Sequence, residues 1–190
     1  MIYVFLADGF EECEAIAPVD ILRRAGLNAI TVKVRGGEEF GYTEVVGAHG
    51  IELTADGCCN EIGLNSLANL QMVVLPGGKT GVENLYKSEN IKKIIDYCVE
   101  NKIRIGAICA APSILARWGY LENIRATAYP SFRHYLTENG AILEENEKVI
   151  TDGIFTTAAA AGVSIEFGLE LVRVLKGKEV SEKIAEQILL

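Results

Sequence analysis

The sequence contains few of the residues that several large classes of protein require. It has only two histidines, His49 and His134, which argues against a multi-histidine metal centre, so we expect no metal. No apolar run reaches the roughly 18 residues of a transmembrane helix, and the first apolar stretch ends at Asp8, too early for a signal peptide. The net charge is −8 and basic residues occur as isolated pairs, so nucleic acid is not an expected partner. These absences predict a cytoplasmic protein without membrane contacts.

The cysteines do not form a pattern typical of disulfide bonding. The chain has five of them, an odd number, and no Cys-x-x-Cys motif. Cys58 and Cys59 are adjacent, a spacing that disfavours a bond between them. This set is unlike the disulfide framework of a secreted protein. We interpret Cys13, Cys58, Cys59 and Cys98 as structural or incidental, which leaves Cys109.

Short apolar runs alternate with helical patterns along the whole chain. Runs such as Ile2–Ala7 and Gln71–Leu75 lack the polar alternation of half-exposed strands, as expected of parallel strands covered on both faces. Their alternation with helices predicts one open, mostly parallel sheet between two helical layers. No linker or repeat interrupts the pattern, so we expect a single α/β domain over residues 1–190.

Some stretches carry more specific structural expectations. Pro18 lies inside a helical pattern and predicts a kink or an irregular first part of that helix. Ala126–Ala128 is expected to form a short strand. Val149–Thr151 and Ile154–Thr156 are expected to pair as antiparallel strands around a tight turn. Residues 36–66 contain several glycines and have a less regular hydrophobic pattern, so only short strands are expected there.

The stretch from Arg104 to Ser113 carries the strongest chemical signal. Its apolar first half ends at Cys109, which small residues flank on both sides, and Pro112 then opens a helical pattern. This is the layout of a nucleophile elbow, in which a sharp strand-to-helix turn exposes a reactive side chain. Unpaired N–H groups at the helix start are expected to favour the thiolate. The alternative is a buried structural cysteine at the end of a strand.

Two other strand ends are expected to lie beside Cys109, because ligand sites in such sheets gather beyond the carboxyl ends of the strands. Four carboxylates follow the first strand: Asp8, Glu11, Glu12 and Glu14. Gly77-Gly78 follow a later strand and let backbone N–H groups approach a ligand closely. The N–H groups of Gly78 and Ala110 are candidate oxyanion donors, and one of the glutamates is a candidate acid/base. Solvated carboxylates that stabilise a helix start are the alternative.

These motifs, in this order, resemble the DJ-1/ThiJ/PfpI superfamily in its DJ-1-like branch. The resemblance is carried by Gly9–Ala15, Val73–Gly78 and Ala107–Pro112. Ser164–Phe167 and Gly177–Val180 are similar to the carboxyl-terminal helices of the family. It implies a flavodoxin-like three-layer sandwich, a homodimer and a reactive cysteine that is easily oxidised to a sulfinate.

The resemblance also implies roles for individual residues. Cys109 would be the nucleophile and Glu14 the acid/base, while Gly78 and Ala110 would supply the oxyanion N–H groups and Tyr129 would lie at the substrate. The implied activities are cofactor-independent conversion of methylglyoxal to lactate, deglycation of glyoxal adducts, and protection against carbonyl and oxidative stress. The alternative is a redox-sensing or chaperone-like protein whose Cys109 is oxidised to sulfinate and which has little catalytic activity.

Two positions depart from the family pattern. Glyoxalase members have a histidine before a proline where this chain has Tyr129-Pro130. Tyrosine can bind a substrate oxygen but is a poor base at neutral pH, and His134 is a candidate substitute. Ala158–Gly162 replaces a Gly-Pro-Gly turn that a basic residue often precedes.

Three further classes are disfavoured. Family peptidases have a histidine directly after the cysteine, where this chain has Ala110. Glutamine amidotransferases need a late His-x-Glu, and no histidine follows His134. A flavin-binding protein would need a phosphate-binding loop after the first strand, where the carboxylates would instead repel a phosphate.

Overall fold

The computed structural model describes residues 1–34, 43–63 and 67–190. The strands of this part are β1 Ile2–Leu6, β2 Ala29–Lys33, β3 Glu44–Val46, β4 Glu52–Thr54, β5 Gly57–Cys58, β6 Met72–Leu75, β7 Arg104–Ile108, β8 Arg125–Ala126, β9 Ile142–Leu143, β10 Val149–Asp152 and β11 Phe155–Ala158. The helices are α1 Glu12–Arg24, α2 Lys79–Lys87, α3 Glu89–Glu100, α4 Pro112–Arg117, α5 Arg133–Glu138, α6 Ser164–Lys176 and α7 Lys178–Gln187. Short 3₁₀ turns cover Cys59–Glu61, Pro130–Phe132 and Ala161–Val163.

Seven strands form the central sheet in the order β10-β11-β7-β6-β1-β2-β5. Every neighbouring pair is parallel except β10 and β11, which run antiparallel with Asp152 opposite Phe155. The order places β1, β6 and β7 side by side, so their carboxyl ends share one edge. The predicted mostly parallel sheet and the predicted antiparallel pair are therefore confirmed.

The core lies on both faces of this sheet. Alternate residues of a strand point to opposite faces, so Tyr3 and Phe5 join one apolar cluster while Val4 and Leu6 join the other. Helices α2, α3, α4 and α5 cover the first face, and α1, α6 and α7 cover the second. Burial from both sides explains why β1 has no polar alternation. The architecture is a flavodoxin-like α/β sandwich.

Pro18 does not make the first part of α1 irregular, because the helix continues through it from Glu12. Close packing against α6 supports this stretch. A Cβ added at Gly168 of α6 would stand 3.2 Å from Cα of Pro18, so the two helices touch backbone to backbone. We infer that this contact offsets the hydrogen bond that the proline cannot donate.

The expected strand Ala126–Ala128 is shorter and starts one residue earlier. Only Arg125–Ala126 is extended, and it pairs with β9 in a separate two-stranded parallel sheet. The hydrogen bonding between β8 and β9 ends before Thr127, because the N–H of Thr127 donates to the hydroxyl of Thr157 (3.0 Å) and not to a carbonyl of β9. Of residues 36–66, which were expected to be less periodic, the structure describes 43–63, where β3, β4 and β5 are all short. In the described ranges, no helix has the length and hydropathy needed to span a bilayer.

Candidate active site

Cys109 lies at the sharp turn between β7 and α4. Its φ is 63°, in the left-handed region that non-glycine residues rarely occupy. Two backbone hydrogen bonds of 2.8 Å hold this conformation: the Cys109 N–H donates to Ala158, and the Cys109 carbonyl accepts from Tyr129. Pro112 occupies the first turn of α4, where no N–H is needed. The cysteine is only partly buried, so the turn has the geometry of a nucleophile elbow.

Glu14 is completely buried in the first turn of α1. Its backbone N–H donates to the side chain of Glu11, which caps the helix (2.8 Å), and its Oε2 accepts from the N–H of Gly77 (2.8 Å). Its other oxygen, Oε1, makes no hydrogen bond of ordinary geometry in the described part of the chain. The thiol of Cys109 is a neighbouring polar group that interacts with this carboxyl group, and the Glu11 carboxylate acts on it electrostatically.

The Gly77-Gly78 turn separates the carboxylate from the elbow and allows their close approach. A Cβ at position 77 would stand 2.3 Å from Oε2 of Glu14 and 2.8 Å from Cβ of Cys109. Gly78 has φ +86°, and a Cβ there would meet the carbonyl oxygen of Gly9 at 2.3 Å. Only glycine fits at either position. The turn can therefore place its backbone N–H groups directly against the reactive atoms.

Burial has the largest effect on the pKa values of Glu14 and Cys109. The pKa of Glu14 rises to about 7, because burial disfavours the charge more than interaction with Cys109 and the Gly77 N–H favours it. Burial also raises the pKa of the Cys109 thiol, and the nearby Glu14 carboxylate raises it further. Backbone N–H groups of Ala110 and Gly78 act on the sulfur in the opposite direction. The N–H groups at the turn therefore favour the thiolate, as expected from the sequence, while burial and Glu14 act against it.

The other residues singled out from the sequence, Tyr129, His134 and Ala158, differ in how they relate to Cys109. Tyr129 is joined to Cys109 through its backbone N–H, while its side chain is 44% exposed. His134 is also exposed, and its ring lies 4.1 Å from that of Tyr135 in α5. Ala158, which starts the alanine run, accepts the N–H of Cys109. The structure thus places the backbone of Tyr129 next to the elbow, whereas in the described part of the chain His134 contacts Tyr135 and Thr137 rather than Cys109.

A clasp between Glu12 and His49 was not anticipated from the sequence. Glu12 is buried, and its carboxylate accepts from the backbone N–H (2.7 Å) and ring Nδ1 (2.8 Å) of His49. This contact fastens the loop between β3 and β4 onto the start of α1. With Glu11, the pair brings possible metal-ligand atoms within 4.8 Å of one another. Because His49 already donates two hydrogen bonds to the carboxylate of Glu12, we assign Glu11, Glu12 and His49 a structural role. The sequence signal was Gly47, where a Cβ would stand 2.3 Å from Oε1 of Glu12.

The other cysteines differ from Cys109 in their surroundings. Cys58, Cys59 and Cys98 are buried, and burial raises the pKa of both Cys59 and Cys98 to about 12. Cys13 is exposed on α1, where the carboxylates around it raise its pKa. All five thiols are free. Only Cys109 combines a strained turn, partial exposure and a buried carboxyl neighbour.

Fold and site together define a class of protein, the flavodoxin-like sandwiches that carry a cysteine at a nucleophile elbow. Within that class, the chain belongs to the DJ-1/PfpI family, whose model matches residues 1–174. The superfamily and the DJ-1-like branch indicated by the motifs are therefore confirmed.

Individual relatives agree in sequence and in fold. Protein DJ-1 homolog B of Arabidopsis thaliana is 33% identical over 190 residues, which is all of this chain but only 41% of that protein. The chain thus spans less than half the length of this plant relative. The glutathione-independent glyoxalase DJR-1.2 of Caenorhabditis elegans is 28% identical over 183 residues, 95% of this chain and 90% of that protein.

Two solved structures have the same fold along their whole length. The crystal structure of Drosophila melanogaster DJ-1beta superimposes with a TM-score of 0.90 at 30% identity, covering 100% of this chain and 97% of that one. Toxoplasma gondii DJ-1, solved in an oxidized form, gives a TM-score of 0.87 at 28% identity, covering 99% and 97%.

Proposed function

We propose that the protein is a cofactor-independent enzyme that acts on small reactive carbonyl compounds such as methylglyoxal and glyoxal. The pairing of Cys109 with a buried Glu14 whose pKa is about 7 carries this proposal. A general acid/base works best when its pKa lies near the working pH, because it can then both take and return a proton. A relative that is named a glyoxalase supports the same substrate class.

The first step forms a thiohemiacetal. The sulfur of Cys109 attacks the aldehyde carbon, the C=O π bond opens, and the thiol proton moves to the carboxylate of Glu14. The N–H groups of Gly78 and Ala110 act on the sulfur and so are close enough to stabilise an oxygen that becomes negative beside it. Glu14 then returns its proton to that oxygen. The raised thiol pKa is no obstacle, because the proton leaves as the C–S bond forms.

The second step converts the thiohemiacetal of methylglyoxal into lactate. Glu14 removes the proton from the carbon bonded to sulfur and delivers it to the neighbouring carbon through an enediol, which leaves a thioester of lactate on Cys109. Water cleaves the thioester and restores the thiol. One carbon of the substrate is oxidised and its neighbour is reduced, so the reaction needs no redox cofactor. The same attack on a glyoxal adduct of an amine, followed by hydrolysis, would give a deglycase.

Methylglyoxal turnover by matched variants tests the proposal. Loss of aldehyde and formation of lactate are measured for the wild type, Cys109→Ala and Cys13→Ala. We expect Cys109→Ala to abolish lactate formation, and Cys13→Ala, which removes an exposed thiol, to leave it unchanged. Lactate formation that survives Cys109→Ala would rule out the mechanism.

A redox-responsive role is the second candidate. Two observations favour it: a tyrosine stands where glyoxalase members have histidine, and a related structure was solved in an oxidized form. The raised thiol pKa of Cys109 opposes it, because the thiolate is the form that peroxide oxidises. Mass spectrometry after mild peroxide treatment distinguishes the two roles. Selective conversion of Cys109 to sulfinate favours the redox role, whereas equal oxidation of Cys109 and Cys13 contradicts it.

A homodimer is part of the same proposal. Three aliphatic side chains are exposed beside the Glu12–His49 clasp: Ile16 (45%), Val46 (44%) and Ile51 (51%). Ile16 lies one helical turn after Glu12, on the same face of α1, and the Ile51 N–H approaches the Glu12 carboxylate at 3.5 Å. Exposed aliphatic side chains grouped around one feature favour a protein–protein contact. We propose that a second copy covers it.

A further inference from the structure

A cleft of about 300 Å³ lies away from Cys109, where the end of α2, the start of α3 and the end of α4 meet. Aromatic and cationic side chains line it, principally Tyr86, Lys87, Lys92, Lys93 and Trp118. Helices α2 and α4 both start at the candidate active site, at Gly78 and Ala111, and the cleft lies at their opposite ends. It therefore forms a separate site on the same two helices.

The aromatic wall of the cleft is built as a fixed stack. The rings of Tyr86 and Trp118 lie 5.6 Å apart and nearly parallel, at 21°. Tyr120 meets Trp118 edge to face at 6.4 Å. The guanidinium of Arg117 lies 3.5 Å from the centre of the Tyr86 ring, and Glu83 holds it at 2.7 Å. Because its neighbours hold the stack in place, a planar ligand would lose little free energy to ordering it.

The charge at the rim is positive, although the chain carries −8 overall. Lys92 is already neutralised by Asp96 and also donates to the hydroxyl of Tyr120, both at 2.6 Å. Lys87 and Lys93 are exposed, and no ion pair joins either of them to an acidic side chain in the described ranges. Glu89 is the acidic residue of the lining, and it stands in the first turn of α3, where a carboxylate complements the helix dipole.

We propose that this cleft binds a small molecule with a planar aromatic ring and one anionic group, with the ring against Trp118 and the anion between Lys87 and Lys93. The volume suits a ligand at the small end of the range that protein pockets accept. Aromatic stacking supplies the apolar contact, and the two unpaired ammonium groups select for negative charge. A carboxylate and a phosphate share this chemistry, and the choice of probes distinguishes them.

Trp118 is the only tryptophan of the chain, so its fluorescence reports on this cleft alone. The probes are adenosine 5′-monophosphate, which has a ring and a phosphate; benzoate, which has a ring and a carboxylate; adenosine, which lacks the anion; and inorganic phosphate, which lacks the ring. We expect saturable quenching by at least one aromatic anion at millimolar concentration or below, weakening as salt is raised. Adenosine and phosphate should bind at least about tenfold more weakly.

Variants separate the proposed site from unspecific charge effects. Lys87→Gln/Lys93→Gln should weaken binding of the aromatic anion by about tenfold. Both lysines are changed together because a single exposed ion pair contributes little to binding. Lys148→Gln/Lys183→Gln removes the same charge from exposed lysines outside the lining and should leave binding unchanged. Cys109→Ala should bind as the wild type does, so the result is independent of the proposed enzyme activity. Absence of saturable quenching, equal binding of adenosine, or equal loss in both double variants would overturn the proposal.

Discussion

The backbone N–H of Gly77 donates to Oε2 of Glu14 over 2.8 Å, and a Cβ on residue 77 would stand 2.3 Å from that same oxygen. The buried carboxylate is therefore held by a residue that can only be glycine. The same missing side chain leaves room for Cβ of Cys109. One glycine thus sets the distance between the proposed nucleophile and its proton partner.

Gly77→Ala should lower methylglyoxal turnover by about a hundredfold or more. The added methyl group has to displace Glu14 or Cys109, and proton transfer depends on their hydrogen-bond distance. Gly63→Ala is the matched control, because no described atom lies within 4 Å of the added carbon. Steady-state kinetics and thermal unfolding of both variants give the comparison. Equal activity of the two variants would contradict the proposed geometry.

Glu14→Gln should stabilise the protein at alkaline pH while reducing its activity. The carboxyl pKa is raised from 4.5 to about 7, so the group favours folding below pH 4.5, and that contribution is lost as the pH rises to 7. Above pH 7 the buried charge costs about 3 kcal/mol, which a neutral amide avoids.

Urea unfolding at pH 5 and pH 8 measures this effect. The free energy of unfolding of Glu14→Gln, relative to the wild type, should be higher at pH 8 than at pH 5. The glutamine oxygen can still accept the N–H of Gly77, so the fold is retained. Turnover should fall about a hundredfold, the usual cost of losing a general acid/base. A stability difference that is the same at both pH values would show that the Glu14 pKa is not raised.

Tyr129→His should raise kcat/KM for methylglyoxal by tenfold or more. Residue 129 is held next to Cys109 by a backbone hydrogen bond, so we expect its side chain to reach a bound substrate. An imidazole with a pKa near 6.5 exchanges protons at neutral pH more readily than a phenol with a pKa near 10. Tyr129→Phe is the control that removes the hydroxyl alone. If histidine and phenylalanine give the same rate, residue 129 takes no part in proton transfer.

His49→Ala should destabilise the protein more at pH 6 than at pH 9. The Glu12 carboxylate raises the pKa of His49, so the pair favours folding below about pH 6.5, and this contribution is lost as the pH rises through the raised value. His49 in turn helps to lower the pKa of Glu12, although burial opposes it, so the carboxylate stays ionised at both pH values. A double-mutant cycle with Glu12→Gln isolates the pairwise term. A coupling energy that does not change with pH would argue against a charged clasp.

Ile16→Glu/Ile51→Glu should convert the proposed dimer into a monomer. Each substitution places a charge on the exposed apolar surface beside the clasp, where a partner would have to bury it. Ile142→Glu is the control, because Ile142 is 49% exposed but lies on β9, outside that surface. Light scattering coupled to size-exclusion chromatography gives the mass. A monomeric wild type, or a double variant that remains dimeric, would contradict the proposed interface.

Much of the fold could be predicted from the order of residues. Buried strands have continuous apolar runs because helices cover both faces, and this local pattern identified the mostly parallel sheet. The irregular helix start expected at Pro18 and the bounds expected for the strand Ala126–Ala128 were wrong, because contacts with Gly168 and Thr157, distant in the chain, decide them. A kink at Pro18 stays a prediction. The cytoplasmic location and the absence of nucleic-acid and metal partners stay predictions.

The sequence by itself determined where the reactive turn lies, because small residues around Cys109 and a proline after it dictate a strand-to-helix elbow locally. It also placed four carboxylates at the neighbouring strand end without distinguishing among them; only the resemblance singled out Glu14. The tertiary structure gave Glu12 and Glu14 different surroundings. Residues two apart on a helix point about 200° from each other, so Glu14 turns toward Gly77 and Cys109 while Glu12 turns toward His49. The tertiary structure also decided the pKa values of Glu14 and Cys109, because the burial of both residues depends on every element packed around them.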